Sequence, residues 1–544
     1  MKKTVLAIAA IIFMFSFSFA QTIIPAGNVS GTWTFAGAPY LIQGAIMIPD
    51  DSTLNIEPGV TVNFQGAYKL HVQGRLLAIG AATDTITFTA SDTTIGWLGI
   101  RYDNTPITND TSMITYCKIQ YGKATGASPY NNGGAFYFNN SSKVIISKSN
   151  ISNCKANTSG GGIYCTGSNP KIINNTFCHN TASNGGGIDC EYNSNPTISN
   201  NWISANSATG LGYSGGGIDC FQSRPTISNN IISYNSASYS GGGINCWSTN
   251  SAITNNTISN NFASYSGGGI ECGTASSPNI SNNIISNNTT NNYGGGIDCG
   301  GNSSNPSISN NTISNNNADK GGALSFYATC SPTIHNTILW GNTAITSGRQ
   351  VYLDDEGCDP NFYYCDVQYG KDSIGLNGSI FYTGLYQNNI DTVPLFVSPL
   401  AGSGSGYNGA TADWSLQIIS PCINAGTTDT TSLGLPANDI AGNPRLSGGR
   451  IDIGAFEYLF PNSITEGLIT FPVSIYPNPS TNNLTIEIPL KSEIEISTIS
   501  GKIIKKINLN ATKTTIDLGN LSNGVYILKA KNDKGIAIKK FIKE

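Results

Sequence analysis

Two acidic pairs and a series of tyrosines are the places where this chain could do chemistry. Between Gly160 and Cys299 the phrase Gly-Gly-Gly-Ile-x-Cys occurs six times, and its variable position reads Tyr164, Asp189, Asp219, Asn245, Glu271 and Asp298. Consecutive copies supply carboxylates twice, Asp189 with Asp219 and Glu271 with Asp298. If copies stack at strand spacing, about 4.8 Å, each pair could act as the acid and base of a glycosidase or hold calcium. The plainer reading is that a repeat must place something polar on its outer face, and a short acid serves. Tyr213, Tyr239 and Tyr265 stand five residues before the repeat isoleucine and Tyr293 four before it. They should form a stripe at one corner, able to stack on sugar rings or on one another. Asp354, Asp355, Glu356 and Asp359 cluster in a loop-like stretch where calcium could sit, although a solvated acidic loop is the better account of them.

Other chemistries find little support. His71, His179 and His335 are scattered without metal-ligand spacing, which argues against a zinc site or a serine triad. Between Gly161 and Asp319 the only lysine or arginine residues are Lys171 and Arg224, too few for elimination on an acidic polysaccharide unless calcium bridges it to the acids. A net charge of −4, dispersed and without a basic patch with interleaved aromatics, does not suggest a nucleic-acid partner, and none is expected. The glycine triplets are followed by neither Lys-Ser/Thr nor a helix, so they are not phosphate loops, and Gly404-x-Gly406-x-x-Gly409 lacks a strand-turn-helix context.

The elements that must position these residues follow from the repeat. With the looser copies at Gly133 and Gly321 included, first-glycine spacings are 27, 25, 30, 26, 26, 27 and 27 residues, the signature of a solenoid. Each unit holds short alternating runs rich in Ile and Thr, such as 251–256 and 257–261, and predicts three strands per turn. The expected fold is all-β, a parallel β-helix. Period two turns the isoleucine inward, the variable residue outward and the cysteine inward, so six cysteines form an interior ladder of free thiols. Paired asparagines, such as Asn229-Asn230 and Asn255-Asn256, should occupy corners and bond to the next coil. Cys358 and Cys365, with Cys330 as another partner, are the better disulfide candidates among the thirteen cysteines.

Residues 1–20 combine Lys2 and Lys3, an apolar run and Ser18-Phe19-Ala20, which predicts a signal peptide cleaved before Gln21 and no transmembrane span afterwards. Residues 21–130 read as an N-terminal cap and first coils, 131–350 as regular repeats, and 351–460 as last coils and a closing segment. After a linker at 461–470, residues 471–544 hold eleven lysines and six acids and no cysteine, a second domain. Its alternating runs, with turns at Gly501 and Asn523-Gly524, predict a small immunoglobulin-like antiparallel sandwich.

Three resemblances accompany these readings. Leu54 to Val62 and Trp97-Leu98-Gly99-Ile100 resemble the start of exported right-handed β-helix proteins of the pectin-lyase-like superfamily, and the GGGI phrases resemble repeats of polymorphic outer-membrane proteins. Pro421 to Gly426, Asp439 to Arg445 and Asp452 to Tyr458 are similar to the closing segment of surface β-helix proteins. The last domain, with Pro477, Asn478, Pro479, Gly501, Gly524, Tyr526, Lys539 and Lys540, closely resembles the C-terminal sorting domain of type IX secretion substrates in Bacteroidota. That resemblance implies the type IX machinery as partner and a destination on the outer-membrane surface or outside a Gram-negative cell. The resulting expectation is a surface or secreted protein, non-enzymatic, that adheres or binds glycans and needs no cofactor. The alternative is a polysaccharide hydrolase or lyase using Asp189, Asp219, Glu271 and Asp298.

Overall fold

The structure, a computed structural model, describes residues 21–459 and 472–544, apart from 213, 302–303, 432, 447–448 and 533–534. The expected signal peptide, the linker at 461–470 and Tyr213 therefore lie outside the described residues. The chain divides into two compact units with the boundary between Tyr458 and Leu459.

The first unit is a parallel β-helix of about fourteen coils. Three 14-stranded parallel sheets run its length, opening at Thr22–Ile24, Gly27–Asn28 and Gly31–Trp33 and closing at Asp366–Val367, Ile374–Leu376 and Tyr386–Gln387. Register is kept coil after coil: Ile218, Asp219 and Cys220 pair with Ile244, Asn245 and Cys246. The regular coils contain a fourth strand that the three-strand reading did not anticipate. Pairs such as Ser236–Ala237 and Phe262–Ala263 form a nine-stranded sheet between the asparagine corner and the glycines. Two residues are too short to show alternation, so a run of this length leaves no periodic signal.

Inside, isoleucines from all three large sheets and the cysteine ladder form one continuous core, with Cys165, Cys190, Cys220, Cys246, Cys272 and Cys299 fully buried. All thirteen cysteines are free thiols, Cys330, Cys358 and Cys365 included, which corrects the disulfide expectation. These three occupy interior corner positions: Cys330 is fully buried and bonds to Ser304 O, while Cys365 accepts the place that asparagine holds in other coils, its N–H donating to Asn389 Oδ1 at 2.8 Å. Burial pushes the Cys365 thiol up to about 12. Thiol titration of native protein is therefore expected to report at most Cys178, the one half-buried cysteine, and all thirteen after denaturation. Fewer than thirteen in denaturant without reductant would reveal a bridge.

Asparagine pairs divide their work as corners require. The first member takes a left-handed backbone, as at Asn229 (φ 56°) and Asn255 (φ 58°), a conformation asparagine tolerates. The second turns inward: Asn230 Nδ2 donates to Ile198 O and to Asn256 Oδ1, at 2.9 and 3.0 Å, and the same pattern passes along the coils.

From about residue 391 the chain returns along the outside of the solenoid. The left-handed asparagines hold it there: Asn287 and Asn315 both donate to Gly402 O, and Asn310 donates to Asp452 O. The closing motif folds around Arg445, whose Nη1 meets Glu457 Oε1 at 2.9 Å beside buried Asp439 and Asp452. Those residues thus seal the segment. Among the described residues no helix is long and apolar enough to cross a membrane.

The second unit has two antiparallel sheets. Ser474–Tyr476, Asn483–Glu487 and Lys513–Asp517 make one; Ile503–Leu509, Ser492–Thr498, Gly524–Asn532 and Gly535–Lys543 make the other. Leu484, Ile486, Ile494, Ile496, Leu528 and Phe541 fill its core. The motif residues are structural here. Asn478 Oδ1 accepts from Ile542 N at 2.9 Å and its Nδ2 donates to Lys540 O at 3.1 Å, which ties the Pro477-Asn478-Pro479 turn to the last strand. Tyr526 stacks on Phe541 at 5.6 Å and donates to Ser522 O, Gly501 has φ 85° at its turn, and Gly524 opens a strand. Lys540 is exposed and Lys539 half-buried.

Candidate functional site

The variable column faces away from the isoleucine core, as period two requires, yet it is not solvated. Asp189, Glu271 and Asp298 are 0% exposed and Asp219 is 3% exposed. The cause is the glycine run that opens each phrase, whose first residue packs against the column. A Cβ on Gly185 would sit 2.6 Å from Asp189 Cβ, and one on Gly294 2.7 Å from Asp298 Cβ. Both glycines have positive φ, 58° and 62°. An alternation pattern distinguishes in from out of a sheet but cannot show that a second layer of backbone covers the outer side. The expected solvated face is therefore corrected to a sealed row of acids.

Sealing determines their electrostatics. Burial pushes Asp219 up to about 7, with the hydrogen bond from Asn245 Nδ2 (2.6 Å to Oδ1) opposing and the charge of Glu191 adding to it. Burial first, then Asp219 and Glu191, hold Asp189 well above the carboxylate range. Glu271 is raised by burial and by Asp298, although Ser266 Oγ donates to its Oε2 at 2.7 Å. Asp298 is pushed up to about 7, mainly by burial. Ser325 and Glu271 lie near enough to moderate that shift, but neither reaches normal hydrogen-bond geometry, and both oxygens of Asp298, like both of Asp189, stay unpartnered. An unpaired buried carboxyl is expensive to ionise, so these groups hold protons near neutrality.

Two cavities open onto this row. The larger, about 260 Å³, is lined by Asn184, Glu191, Tyr192, Asp219, Phe221, Asn245 and Trp247. Glu191 is steadied by Tyr164 Oη at 2.9 Å and Ser159 Oγ at 3.1 Å. Tyr192 meets Phe221 edge-on at 5.4 Å, and Trp247 lies across Gly273, where a Cβ would run into its ring. The smaller cavity, about 130 Å³, is lined by Tyr239, Tyr265, Tyr293, Tyr327, Asp298 and Asp354. Here the predicted tyrosine stripe is found: Tyr239 stacks on Tyr265 at 4.8 Å and 12°, and Tyr265 meets Tyr293 edge-on at 5.8 Å.

The acidic loop is dispersed by its own hydrogen bonds. Asp354 accepts from Tyr352 Oη and faces the tyrosine cavity, Asp355 accepts from Ala328 N, and Asp359 accepts from Thr383 N; Glu356 is exposed. Among the described residues no group of three or more His, Cys, Asp or Glu is arranged to hold a metal.

A family model described as a right-handed β-helix region matches residues 84–261 and 242–392, more than half of the chain. The chain belongs to the right-handed β-helix family. A second model, a secretion system C-terminal sorting domain, matches residues 474–544. This β-helix protein therefore carries a type IX sorting domain, which indicates export to the cell surface or the extracellular space. The crystal structure of pectate lyase Pel9A is similar at a TM-score of 0.35 and 13% identity, over 80% of this chain and 96% of that one. No sequence among the curated proteins matches. Deleting residues 471–544 is expected to leave the β-helix in the periplasm on cell fractionation; a truncated chain found at the surface would refute the assignment of that domain.

The larger cavity contains residues that sequence reasoning passed over. Glu191, Phe221 and Trp247 are each the residue after the repeat cysteine and are paired in register, Glu191 with Phe221 and Phe221 with Trp247. Tabulating that position down the repeats would have exposed a polar and aromatic column beside the acidic one.

Proposed function

We propose that this β-helix is a secreted or surface glycan-binding protein and that its sugar site is the cleft of Tyr192, Phe221 and Trp247. The observation that carries this reading is the meeting of three partly exposed aromatic rings with Glu191, Asp219, Asn184 and Asn245 in one cavity of about 260 Å³. Aromatic faces take the apolar side of a sugar ring, and carboxylate and amide oxygens take its hydroxyls. Adhesion follows if the glycan belongs to another surface. Titration calorimetry of the mature chain against neutral and acidic polysaccharides is expected to show binding that Trp247→Ala weakens by about tenfold or more, the effect of losing one buried aromatic anchor. Equal affinity of wild type and variant would place the sugar elsewhere, with the Tyr239 and Tyr265 ladder the next surface to substitute.

One observation favours hydrolysis at the same cleft. Asp219, pushed up to about 7, can carry a proton near neutrality while Glu191 offers a second carboxyl across the cavity. In that reading Asp219 is the acid and Glu191 the base or nucleophile. New reducing ends released by wild type and abolished in Asp219→Asn would establish it, whereas binding without release supports the lectin-like reading.

A further inference from the structure

The smaller cavity has a composition unlike that of the sugar cleft. Four tyrosines, Tyr239, Tyr265, Tyr293 and Tyr327, surround a space of about 130 Å³ with Asp298 at its buried side and Asp354 at its outer side. Asp298 is 0% exposed and neither of its oxygens has a hydrogen-bond partner, so the cavity is backed by a buried carboxyl, protonated while the cavity is empty, that a bound cation would ionise. Glu271, equally buried, lies on the adjoining coil in register with Asp298. Lys320 is not among the residues that line the cavity; its Nζ lies over the rings of Tyr293, one of the four, and Tyr352, 5.6 and 5.0 Å from their centroids. Three carboxyls thus stand against one ammonium, and that ammonium already rests on the faces of tyrosines. The fourth wall is permitted by a glycine: a Cβ on Gly300 would enter the ring of Tyr327.

A hydrated calcium ion wants six to eight oxygen ligands, and a sugar wants donors and acceptors around its rim. A wall of tyrosines with a carboxyl at the back that can give up its proton suits instead a cation that carries its own apolar surface and sheds water cheaply. From this geometry we propose that the tyrosine cavity binds the alkylated ammonium group of a small organic cation, of the choline type, with Tyr239, Tyr265, Tyr293 and Tyr327 as the cage and Asp298 as the counter-charge. The site is separate from the sugar cleft, so its success or failure leaves that proposal untouched.

The test uses the full mature chain. Choline chloride and tetramethylammonium chloride are titrated by calorimetry, with ammonium chloride and calcium chloride as controls. Both alkylated cations are expected to bind and ammonium much less. Tyr265→Leu and Asp298→Asn should each weaken choline by about tenfold or more, the scale of one desolvated cation–π contact or of the counter-charge. Gly300→Ala, on the outer wall, should do the same by displacing Tyr327, and keeps the test informative if a cage variant fails to fold. Asp219→Asn, in the other cavity, should leave choline binding unchanged. Phosphatidylcholine vesicles supply the lipid-borne form of the same group, and vesicle binding through the cavity must be competed by free choline. Absence of choline binding, a preference for calcium, equal affinity in the cage variants, or vesicle binding that choline does not displace would each overturn the proposal.

Discussion

Raising the pH from 5 to 8 is expected to destabilise the solenoid, the opposite of the behaviour of a protein held by carboxylate ion pairs. Asp219, Asp298 and Asp366 are each pushed up to about 7, chiefly by burial, and Glu457 to about 8 despite its contact with Arg445. In the unfolded chain the same groups titrate near 4. The folded state therefore binds more protons than the unfolded state between these values, and the slope of unfolding free energy against pH is negative there. Stability contributed by the protonated form is complete below about pH 4, declines as the pH rises toward 7 to 8, and is gone above that. A shift from near 4 to about 7 corresponds to on the order of 4 kcal/mol for one isolated group, and less for each member of an interacting pair such as Glu271 and Asp298. Little opposes the trend: among the described residues of the solenoid the other charged pair is Arg75 with the exposed Asp110, since Glu457 beside Arg445 is itself one of the raised groups. Urea midpoints of the isolated β-helix should fall between pH 5 and 8, and Asp219→Asn combined with Asp298→Asn should flatten the dependence. A midpoint that is constant or rises over that interval would show that the acids are ionised and neutralised in the folded protein.

The same acids mark how far the sequence could be read. Isoleucine and cysteine at alternating positions, repeated about every 26 residues, are enough to define coils, an interior thiol ladder and in-register pairing, because each is a local property multiplied by the repeat. The asparagine corners were legible for the same reason. Burial of the acid column was not, since it depends on a glycine segment lying over a strand, and a glycine run is compatible with either a turn or a close approach. Gly243 illustrates the second case: a Cβ there would lie 2.6 Å from Gly269 O on the next coil. The fate of the chain beyond residue 391 was hidden more deeply. Its docking depends on left-handed asparagines donating to backbone more than eighty residues away, as Asn315 does to Leu400 O at 2.9 Å. Nothing periodic in either partner announces that contact. The candidate site lay between these extremes: the acids and tyrosines were visible as columns, while Trp247 and Phe221 became site residues only once register placed them beside Glu191.

Two adjacent residues of one type offer the sharpest contrast in the solenoid. Asn256 is fully buried; its Nδ2 donates to Ile227 O at 2.9 Å and Thr254 O at 3.0 Å, and its Oδ1 accepts from Asn230 N at 2.9 Å and Asn230 Nδ2 at 3.0 Å. Asn256→Ala leaves donors on the preceding coil and carbonyls at the corner without partners in a place water does not reach. Each such group costs about 1–3 kcal/mol, so the substitution should cost on the order of 4 kcal/mol, at the extreme of single-site effects. Its neighbour Asn255 is only half-buried and has φ 58°; its Oδ1 accepts from Asn282 Nδ2, a group that also donates to Asn438 O, so what its position chiefly demands is a left-handed backbone. Glycine meets that demand, so Asn255→Gly should change stability by about 0.5 kcal/mol or less in either direction. Because each coil contacts mainly its neighbours, the Asn256→Ala defect should also open amides of the flanking coils to hydrogen exchange while distant coils stay protected. Equal urea midpoints for the two variants would mean that the inward amide ladder contributes nothing beyond its backbone geometry.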